Sequence, residues 1–386
     1  MIEFRRLLRN RNVMAKAILW SIVILSCFAL YCEYFHYFVV LLHCTWPPNL
    51  KGDSHLSTAV KDDLKAMFLA DTHLLGFRDG HWFDKLRREW QMKRAFQAAM
   101  IIHRPDIVFV LGDLFDEGKW CDDNEFYYHA SRFRSMFAVP EGTDLYVVAG
   151  NHDEGFHYMM TGHKHKRFEK EFHSPSVQLV KKKGSMFVLL NSMAMEGDHC
   201  RICAEAEKDI QNISKFLTTL QNCHHGEESP RICQKYRETY SKPILLQHFP
   251  MYRPSDADCH TADSAPESEK YIPFREKYDC LDQRSTDLLL NLLEPRLVVA
   301  AHTHHGCFRI LSGGVPEWTV SSFSWRNRNN PTFLLARLNN KDHSISKCFL
   351  PEESTVIYIY ILACACAVLN IIVPSLRNKL YRKKLF

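Results

Sequence analysis

The chain has 386 residues and a formal net charge of +5, with +4 in residues 1–16 and +5 in residues 374–386. The body between these ends therefore has a net charge of −4, which argues against a nucleic-acid partner. The length allows two domains, but the candidate functional residues extend from position 71 to position 304. We therefore predict one main domain over residues 66–350.

Two apolar segments flank this domain. Residues 17–42 and 355–373 are predicted to be membrane helices, with a linker at 43–65 and Glu33 near the membrane interface. A cleaved signal peptide is the alternative for the first segment, but no small-x-small cleavage site follows it. Because basic residues lie outside both segments, we expect residues 1–16 and 374–386 to be cytoplasmic tails and the main domain to be lumenal.

The last residues contain the pair Lys383-Lys384. This pair is either a dilysine retrieval signal that coat proteins bind or a plain basic membrane flank, and the sequence leaves both open. Ten of the 14 cysteines lie between the two apolar segments. Some disulfides are therefore expected in a lumenal domain, although the sequence does not determine their pairing.

Short apolar runs that suit buried strands lie at residues 67–70, 107–111, 145–149, 187–190, 244–246 and 297–300. Helix-like segments lie at residues 83–103, 124–137, 204–220 and 285–293. This alternation predicts an α/β sandwich in which the loops after the strands gather at one edge. The less regular region at 200–280 is predicted to be a disulfide-tied excursion that shapes a substrate pocket.

Five polar clusters directly follow these apolar runs. They are Asp71-Thr72-His73, Gly112-Asp113-Leu114-Phe115-Asp116, Gly150-Asn151-His152-Asp153, Gln247-His248 and Ala301-His302-Thr303-His304. Taken alone, a cluster of this kind has an ordinary explanation, such as a helix N-cap aspartate, a polar turn or a buried histidine. Carboxylate, amide and imidazole groups repeated at successive strand ends instead suit a pair of divalent cations, and they predict a phosphoester hydrolase.

The order of these clusters resembles the calcineurin-like metallophosphoesterase superfamily, whose motifs D-x-H, G-D-x-x-D, G-N-H-D/E, H and G-H-x-H are matched over residues 66–340. The one departure is Ala301, where the family has glycine. The resemblance implies a four-layer αββα metallophosphoesterase sandwich. It implies one metal held by Asp71, His73, Asp113 and His304, and a second held by Asp113, Asn151, His248 and His302.

The same resemblance implies the catalytic roles. Water activated by the two metals attacks phosphorus in line, His152 protonates the leaving oxygen, and Asp153 orients His152. Purple acid phosphatases of this superfamily have a tyrosine where this chain has Asp116, which argues against a ferric-tyrosinate centre. The implied cofactors are two divalent ions, with Mn(II) at both sites or Zn(II) at one of them.

A narrower resemblance rests on the two flanking helices, the loop at 115–120 and the run at 324–331. These features are similar to the GPI-anchor-remodelling phosphoesterases of the superfamily. That resemblance implies removal of an ethanolamine-phosphate side branch from a mannose of the GPI glycan, which promotes ER-to-Golgi transport of GPI-anchored proteins. The implied location is the early secretory pathway: ER exit sites, the ER-Golgi intermediate compartment and the Golgi.

Within the run at 324–331, Trp325 is a candidate for binding a sugar face, and Arg326 and Arg328 are candidates for binding phosphate. An exposed aromatic residue beside solvated basic groups is the alternative. Two other functions remain open, namely a lumenal phosphatase or phosphodiesterase with a soluble or different lipid-linked substrate, and a non-catalytic adaptor. An adaptor is expected to have lost metal ligands or His152, and the sequence retains all of them.

Overall fold

The structure is a computed structural model that describes residues 2–50, 63–226, 228, 230–235 and 240–383. Its helices are α1 (Ile2–Leu30), α2 (His36–Leu41), α3 (Trp82–His103), α4 (Asp123–Met136), α5 (Asn151–Glu154), α6 (Gly162–Phe172), α7 (Arg201–His225), α8 (Pro230–Lys235), α9 (Gln283–Leu293) and α10 (Glu353–Lys383). Its strands are β1 (Leu64–Leu69), β2 (Ile107–Leu111), β3 (Asp144–Val148), β4 (Val177–Lys182), β5 (Ser185–Leu190), β6 (Ile244–Gln247), β7 (Leu297–Ala300), β8 (Cys307–Ile310), β9 (Pro316–Thr319), β10 (Thr332–Leu338) and β11 (His343–Phe349).

The strands form two sheets. One has five strands in the order β11-β10-β1-β2-β3, and the other has six strands in the order β4-β5-β6-β7-β9-β8. In the first sheet β1, β2 and β3 are parallel, and in the second β5, β6, β7 and β9 are parallel. Antiparallel strands extend the edges of both sheets, for example β10 beside β1 and β4 beside β5.

Alternating side chains of the central strands enter two different cores. On β1, Ala66 and Phe68 pack against the second sheet, whereas Met67 and Leu69 pack under α3 and α4. On the far side of the second sheet, α7 and α9 cover Val188 and other strand residues. The layers are therefore helix, sheet, sheet and helix, which confirms the predicted αββα sandwich. Burial on both faces explains why these strands have continuous apolar sequences.

The antiparallel edge strands were not predicted. β11 alternates serine, lysine and apolar residues and is mostly half-buried, so it lacks the continuous apolar run of a central strand. In the region 200–280, α7 is a long helix of 25 residues that begins earlier and ends later than predicted. Disulfides join Cys200 to Cys203, Cys223 to Cys233 and Cys259 to Cys307, whereas Cys280 is a buried thiol.

The Cys259–Cys307 disulfide joins the loop after β6 to β8 across a sequence separation of 48. Replacing both cysteines by alanine is expected to lower the free energy of unfolding by about 2–5 kcal/mol, because a long loop in the unfolded chain is no longer closed. The control is removal of Cys223–Cys233, with a separation of 10, for which the expected loss is about 1 kcal/mol smaller. Denaturant unfolding of both variants measures the difference, and equal losses would contradict loop closure as the cause.

The two apolar helices lie antiparallel to each other. α1 continues through a π-helical turn (Tyr31–Phe35) into α2, and the Asn370 amide on α10 donates to the Ala17 carbonyl at 2.8 Å. Both helices are long and apolar enough to cross a membrane, by length and composition. The first begins earlier than the predicted 17–42, and its last turns pack on α3, where the rings of Tyr34 and Trp90 are 5.6 Å apart.

The predicted segments at the two ends and in the linker are only partly described. Residues 51–62 of the 43–65 linker lie outside the described residues. α10 continues through most of the predicted tail to Lys383, and Lys384 of the predicted dilysine signal lies outside the described residues.

Candidate metal centre and active site

All five polar clusters lie just after the carboxyl ends of parallel strands. Asp71 and His73 follow β1, Asp113 follows β2, and Asn151 follows β3. In the second sheet, His248 follows β6, and His302 and His304 follow β7. Because the two sheets pack face to face with these ends at the same edge, residues far apart in sequence converge there.

The backbone at the cluster is held in an uncommon conformation. Positive φ values occur at Asp71 (53°), His73 (43°), Asp113 (51°), His302 (75°) and His304 (61°). A non-glycine residue in the left-handed region costs about 1–3 kcal/mol and persists only where surrounding contacts impose it. Surrounding contacts therefore hold five of the seven predicted ligands in this left-handed backbone conformation.

Two glycines allow the loops to approach each other closely. A Cβ atom at Gly112, where φ is +87°, would lie 2.5 Å from His248 Nδ1. A Cβ atom at Gly150 would lie 2.2 Å from Asp113 Oδ1. By contrast Ala301, the departure from the family motif, is not among the described residues with positive φ, and its N–H donates to the His248 carbonyl at 2.8 Å. Alanine is therefore accommodated at that position.

The ligand atoms of Asp71, His73, Asp113 and His304 all lie within 4.8 Å of one another. His73 Nε2 is 3.0 Å from His304 Nε2 and 3.4 Å from Asp113 Oδ2. Asp71 Oδ1 is 3.9 Å from His304 Nε2. This group contains the four residues that the sequence predicts as ligands of the first metal.

Asp113, His248 and His302 form a second group of the same kind. His248 Nε2 is 3.3 Å from Asp113 Oδ2, 3.2 Å from Asn151 Oδ1 and 3.2 Å from His302 Nδ1. Asp113 Oδ2 thus lies between the two groups, which is the position of a bridging ligand. The structure brings all seven predicted ligands together.

Hydrogen bonds fix which nitrogen of three imidazoles faces the centre. His73 Nδ1 donates to Asp116 Oδ1 at 3.2 Å, and His248 Nδ1 donates to the Leu111 carbonyl at 2.7 Å. His302 Nε2 donates to the Tyr278 carbonyl at 2.8 Å. In each ring the other nitrogen is left for the centre, which is the usual arrangement of metal-bound histidines.

The electrostatics of the cluster favour bound cations. Asp71 is completely buried and neither of its carboxylate oxygens accepts a hydrogen bond. Burial and the nearby Asp113 charge raise the pKa of Asp71 to about 8, because the protein supplies too little compensation for its charge. Burial also lowers the pKa of His302 to about 3, so its imidazole is neutral, as metal binding requires. The donor set fits two divalent cations.

His152 lies beside both groups. Its backbone N–H donates to Asp113 Oδ1 at 2.8 Å, and its ring Nδ1 donates to the Asp116 carbonyl at 2.9 Å. The Lys119 Nζ atom lies 3.2 and 3.3 Å from the two ring nitrogens. Burial lowers the pKa of His152, but the charge of Asp113 and the hydrogen bonds to Asp116 outweigh burial and raise it. The raised pKa favours the protonated form of this imidazole at the edge of the centre.

The structure corrects the predicted role of Asp153. Its carboxylate accepts the Phe115 N–H at 3.0 Å and the Gly150 N–H at 2.9 Å, so it joins the loops after β2 and β3. The His152 ring is instead held by Asp116, whose Oδ1 is 3.4 Å from Nδ1. Asp153 therefore supports the loop that carries His152, and Asp116 orients the ring.

Of the three predicted substrate-binding residues, Trp325 does not face the metal centre or the cavity beside it. Its side chain is 6% exposed, packs against Cys32 and Val356 of the apolar helices, and donates from Nε1 to the Pro351 carbonyl at 2.8 Å. It therefore cannot present a face to a sugar, and that prediction is wrong. The sequence does not distinguish this buried tryptophan from an exposed one, because its partners are far away in the chain.

The two arginines lie nearer the centre. The Arg326 guanidinium is 2.7 Å from Asp116 Oδ2 and is partly exposed. Arg328 hydrogen-bonds to His305, which lines a cavity of about 710 Å³ that opens from the centre. Asn151, His152 and His302 line one side of this cavity, and aromatic and charged residues line the rest, including Phe156, Tyr278, Glu269 and Asp279.

Three residues contribute to the site without having been predicted as site residues. Asp116 holds both His73 and His152, and its place in the G-D-x-x-D spacing was a usable signal. Lys119 belongs to the loop at 115–120, which carries part of the narrower family resemblance but from which no role was predicted for this lysine. Tyr278 acts through its backbone carbonyl, so its identity carries no signal in the sequence.

Comparison with known proteins agrees with this geometry. The family model described as calcineurin-like phosphoesterase matches residues 64–306. The chain belongs to the calcineurin-like phosphoesterase family. Metallophosphoesterase 1 of Gallus gallus is 47% identical over 369 residues, covering 94% of this chain and 92% of the relative. Metallophosphoesterase 1 of Xenopus laevis is 50% identical over 343 residues, covering 86% of this chain and 83% of the relative.

Among solved structures, a dimetal phosphatase from Danio rerio aligns with a TM-score of 0.46 at 13% identity, covering 76% of this chain and 100% of that chain. Family membership, together with the two ligand groups, makes this calcineurin-like phosphoesterase a metal-dependent phosphoester hydrolase that uses two divalent ions.

Removal of the metals is expected to abolish hydrolysis of bis(4-nitrophenyl) phosphate and to lower thermal stability. Each saturated site contributes about 2.7 kcal/mol when free metal is 100-fold above its dissociation constant. Chelation should therefore lower both the rate and the melting temperature. Addition of Mn²⁺ in excess of the chelator should restore both. An unchanged melting temperature on chelation would contradict the placement of metals among the buried carboxylates.

Proposed function

We propose that this phosphoesterase removes an ethanolamine-phosphate side branch from a mannose of the GPI-anchor glycan, and so promotes ER-to-Golgi transport of GPI-anchored proteins. The observation that carries the proposal is the attachment of the catalytic domain to the ends of the two apolar helices. Only residues 350–352 separate the end of β11 from α10. A phosphodiester that is linked to a lipid in the same membrane would meet the active site at a high effective concentration.

Side-chain contacts add to this attachment. Arg87 on α3 forms an ion pair with Glu353 at the start of α10. Trp325, the residue before Arg326, packs against both apolar helices. Since Arg326 contacts Asp116 and Asp116 holds His152, a short chain of contacts connects the helices to the catalytic edge.

The roles of the site residues follow from their positions. We assign Asp71, His73, Asp113 and His304 to one metal and Asp113, Asn151, His248 and His302 to the other. When bound, two cations held by these residues would supply Lewis acidity to the phosphoryl group and would lower the pKa of a water molecule. His152 donates a proton to the leaving oxygen of the sugar, and the Asp116 carbonyl accepts a hydrogen bond from Nδ1 of the His152 ring, which leaves Nε2 as the atom that donates. Arg326 offers its guanidinium to the phosphate.

The mixed oxygen and nitrogen ligands support Mn(II) at both metal sites, with Zn(II) as an alternative at one. Three disulfides support an oxidising compartment for the catalytic domain, and basic residues outside both apolar helices support cytoplasmic ends. We therefore place the domain in the lumen of the early secretory pathway, at ER exit sites, the ER-Golgi intermediate compartment and the Golgi. Lys383 and Lys384 would bind coat proteins on the cytoplasmic side.

Mass analysis of GPI glycans from cells with and without the protein tests the substrate. Cells that lack the protein should retain one additional ethanolamine phosphate, and the wild-type chain should remove it on re-expression. Re-expression of the Asp113→Asn chain should not restore removal of the ethanolamine phosphate. This result would show that catalysis by the protein, and not its presence alone, is required. Identical glycans in cells with and without the protein would exclude the proposed substrate and leave a soluble or different lipid-linked phosphodiester.

A further inference from the structure

Exposed apolar side chains cover the first turns of α3, the helix that follows the loop bearing His73. Trp82, Phe83 and Leu86 are 68%, 53% and 58% exposed, although three large apolar residues in two turns are usually buried. Eight residues separate Trp82 from the predicted metal ligand His73. We name these three residues the α3 cluster.

The α3 cluster lies on the face of α3 that packs against the first apolar helix. Trp82, Leu86 and Trp90 follow one another at intervals of four residues, so they share one stripe of the helix. Trp90 contacts Tyr34 edge to face, with ring centroids 5.6 Å apart. The α3 cluster therefore lies on the same face of α3 as the contact with the first apolar helix, but beyond the last contact at Trp90.

The order of contacts shows the direction of α3. Tyr34 contacts the Trp90 ring and the Arg94 guanidinium. Further along, Phe38 lines a cavity together with Gln97 and Ile101. Beyond the helix, Trp46 Nε1 donates to the His103 carbonyl at 3.2 Å. Residue numbers therefore rise in the same order in the segment 34–46 and in α3, so the first apolar helix and α3 run in the same direction. The first turn of α3 therefore points toward the earlier, apolar residues of α1. It lies about 12 Å from Trp90 along the helix axis, at 1.5 Å per residue.

We propose that the α3 cluster is a membrane-contact site, in which Trp82, Phe83 and Leu86 insert into the lipid headgroup layer next to the active-site loop. The proposal rests on α1 and α10 spanning a membrane, as set out under the proposed function. Tryptophan and other apolar residues are favoured at this depth, and long basic side chains keep their charges at the surface. Lys85, whose Nζ lies 5.0 Å from the Phe77 ring centroid, is such a residue. The contact holds the loop that bears His73 at the level of a lipid-linked phosphodiester.

Photo-crosslinking of the full-length chain in phosphatidylcholine vesicles tests the contact. p-Benzoylphenylalanine replaces Phe83 in one protein and Ile101 in a control. Ile101 is slightly more exposed, at 59% against 53%, but lies 18 residues further along α3. Illumination should give phosphatidylcholine adducts at position 83 and none at position 101. Absence of adducts at position 83, or equal yields at both positions, overturns the proposal.

A kinetic experiment tests its consequence. The variant Trp82→Ser/Phe83→Ser/Leu86→Ser should hydrolyse a phosphodiester on a vesicle lipid about tenfold more slowly, while its rate on soluble bis(4-nitrophenyl) phosphate stays unchanged. The control Ile101→Ser should alter neither rate. Equal loss on both substrates would show that the cluster only supports folding, and this would overturn the proposal. The lipid needs no GPI glycan, so the experiment is decided even if the proposed natural substrate is wrong.

Discussion

Replacement of Asp113 by asparagine is expected to reduce turnover to the uncatalysed background and to lower the bound metal from two ions to one or none. Asp113 Oδ2 lies 3.4 Å from His73 Nε2 and 3.3 Å from His248 Nε2, so it serves both ligand groups. The amide keeps the shape of the side chain but removes the charge that two buried cations need. Metal analysis and hydrolysis of bis(4-nitrophenyl) phosphate on the same protein measure both effects.

Asp144→Asn is the matched control. Asp144 begins β3, at the other end of the strand from the metal centre, and pairs with Lys182. Because its side chain is partly exposed, that ion pair contributes little to stability. The control should keep its metals and its rate. If the Asp113→Asn protein retained two metals and full activity, the assignment of a bridging carboxylate would be wrong.

Replacement of His152 by alanine is expected to slow hydrolysis of an alkyl phosphodiester by about 100- to 10,000-fold while both metals stay bound. The imidazole contacts Asp116 and Lys119 at the edge of the centre and belongs to neither proposed metal site. A 4-nitrophenolate leaving group needs little protonation, so the same substitution should slow its release much less. The ratio of the two losses therefore reports the role of His152 as an acid.

His157→Ala is the matched control for this variant, because His157 pairs with Asp198 away from the metal centre. It should leave both rates unchanged. His152, His73 and Asp116 also form a group of possible metal-binding atoms within 4.8 Å of one another. Loss of a metal from the His152→Ala protein would show that His152 is a ligand and would refute its role as the acid.

The correction at Trp325 changes how the run at 324–331 is understood. The residue was predicted to face a sugar, yet it is buried between the catalytic domain and the apolar helices. Its neighbour Arg326 still reaches the centre through Asp116. One short segment thus joins the two apolar helices, through Trp325, to the catalytic edge, through Arg326.

The fold class and the set of candidate ligands can be predicted from the amino-acid sequence alone. Central strands buried on both faces must be continuously apolar, and the metal-binding residue types stand within a few positions of the strand ends, so both features are visible in local sequence. The order of the five clusters was enough to predict the family, and the family model confirms it.

The roles of the individual residues depend instead on contacts that form when the chain folds. Asp116 rather than Asp153 orients His152, and the carbonyls of Leu111 and Tyr278 select the free nitrogens of two histidines. The directions of Trp325 and of the first turn of α3 likewise depend on helices distant in the chain. Such contacts arise from the packing of separate segments, and local residue patterns do not encode the atoms that meet when those segments pack together.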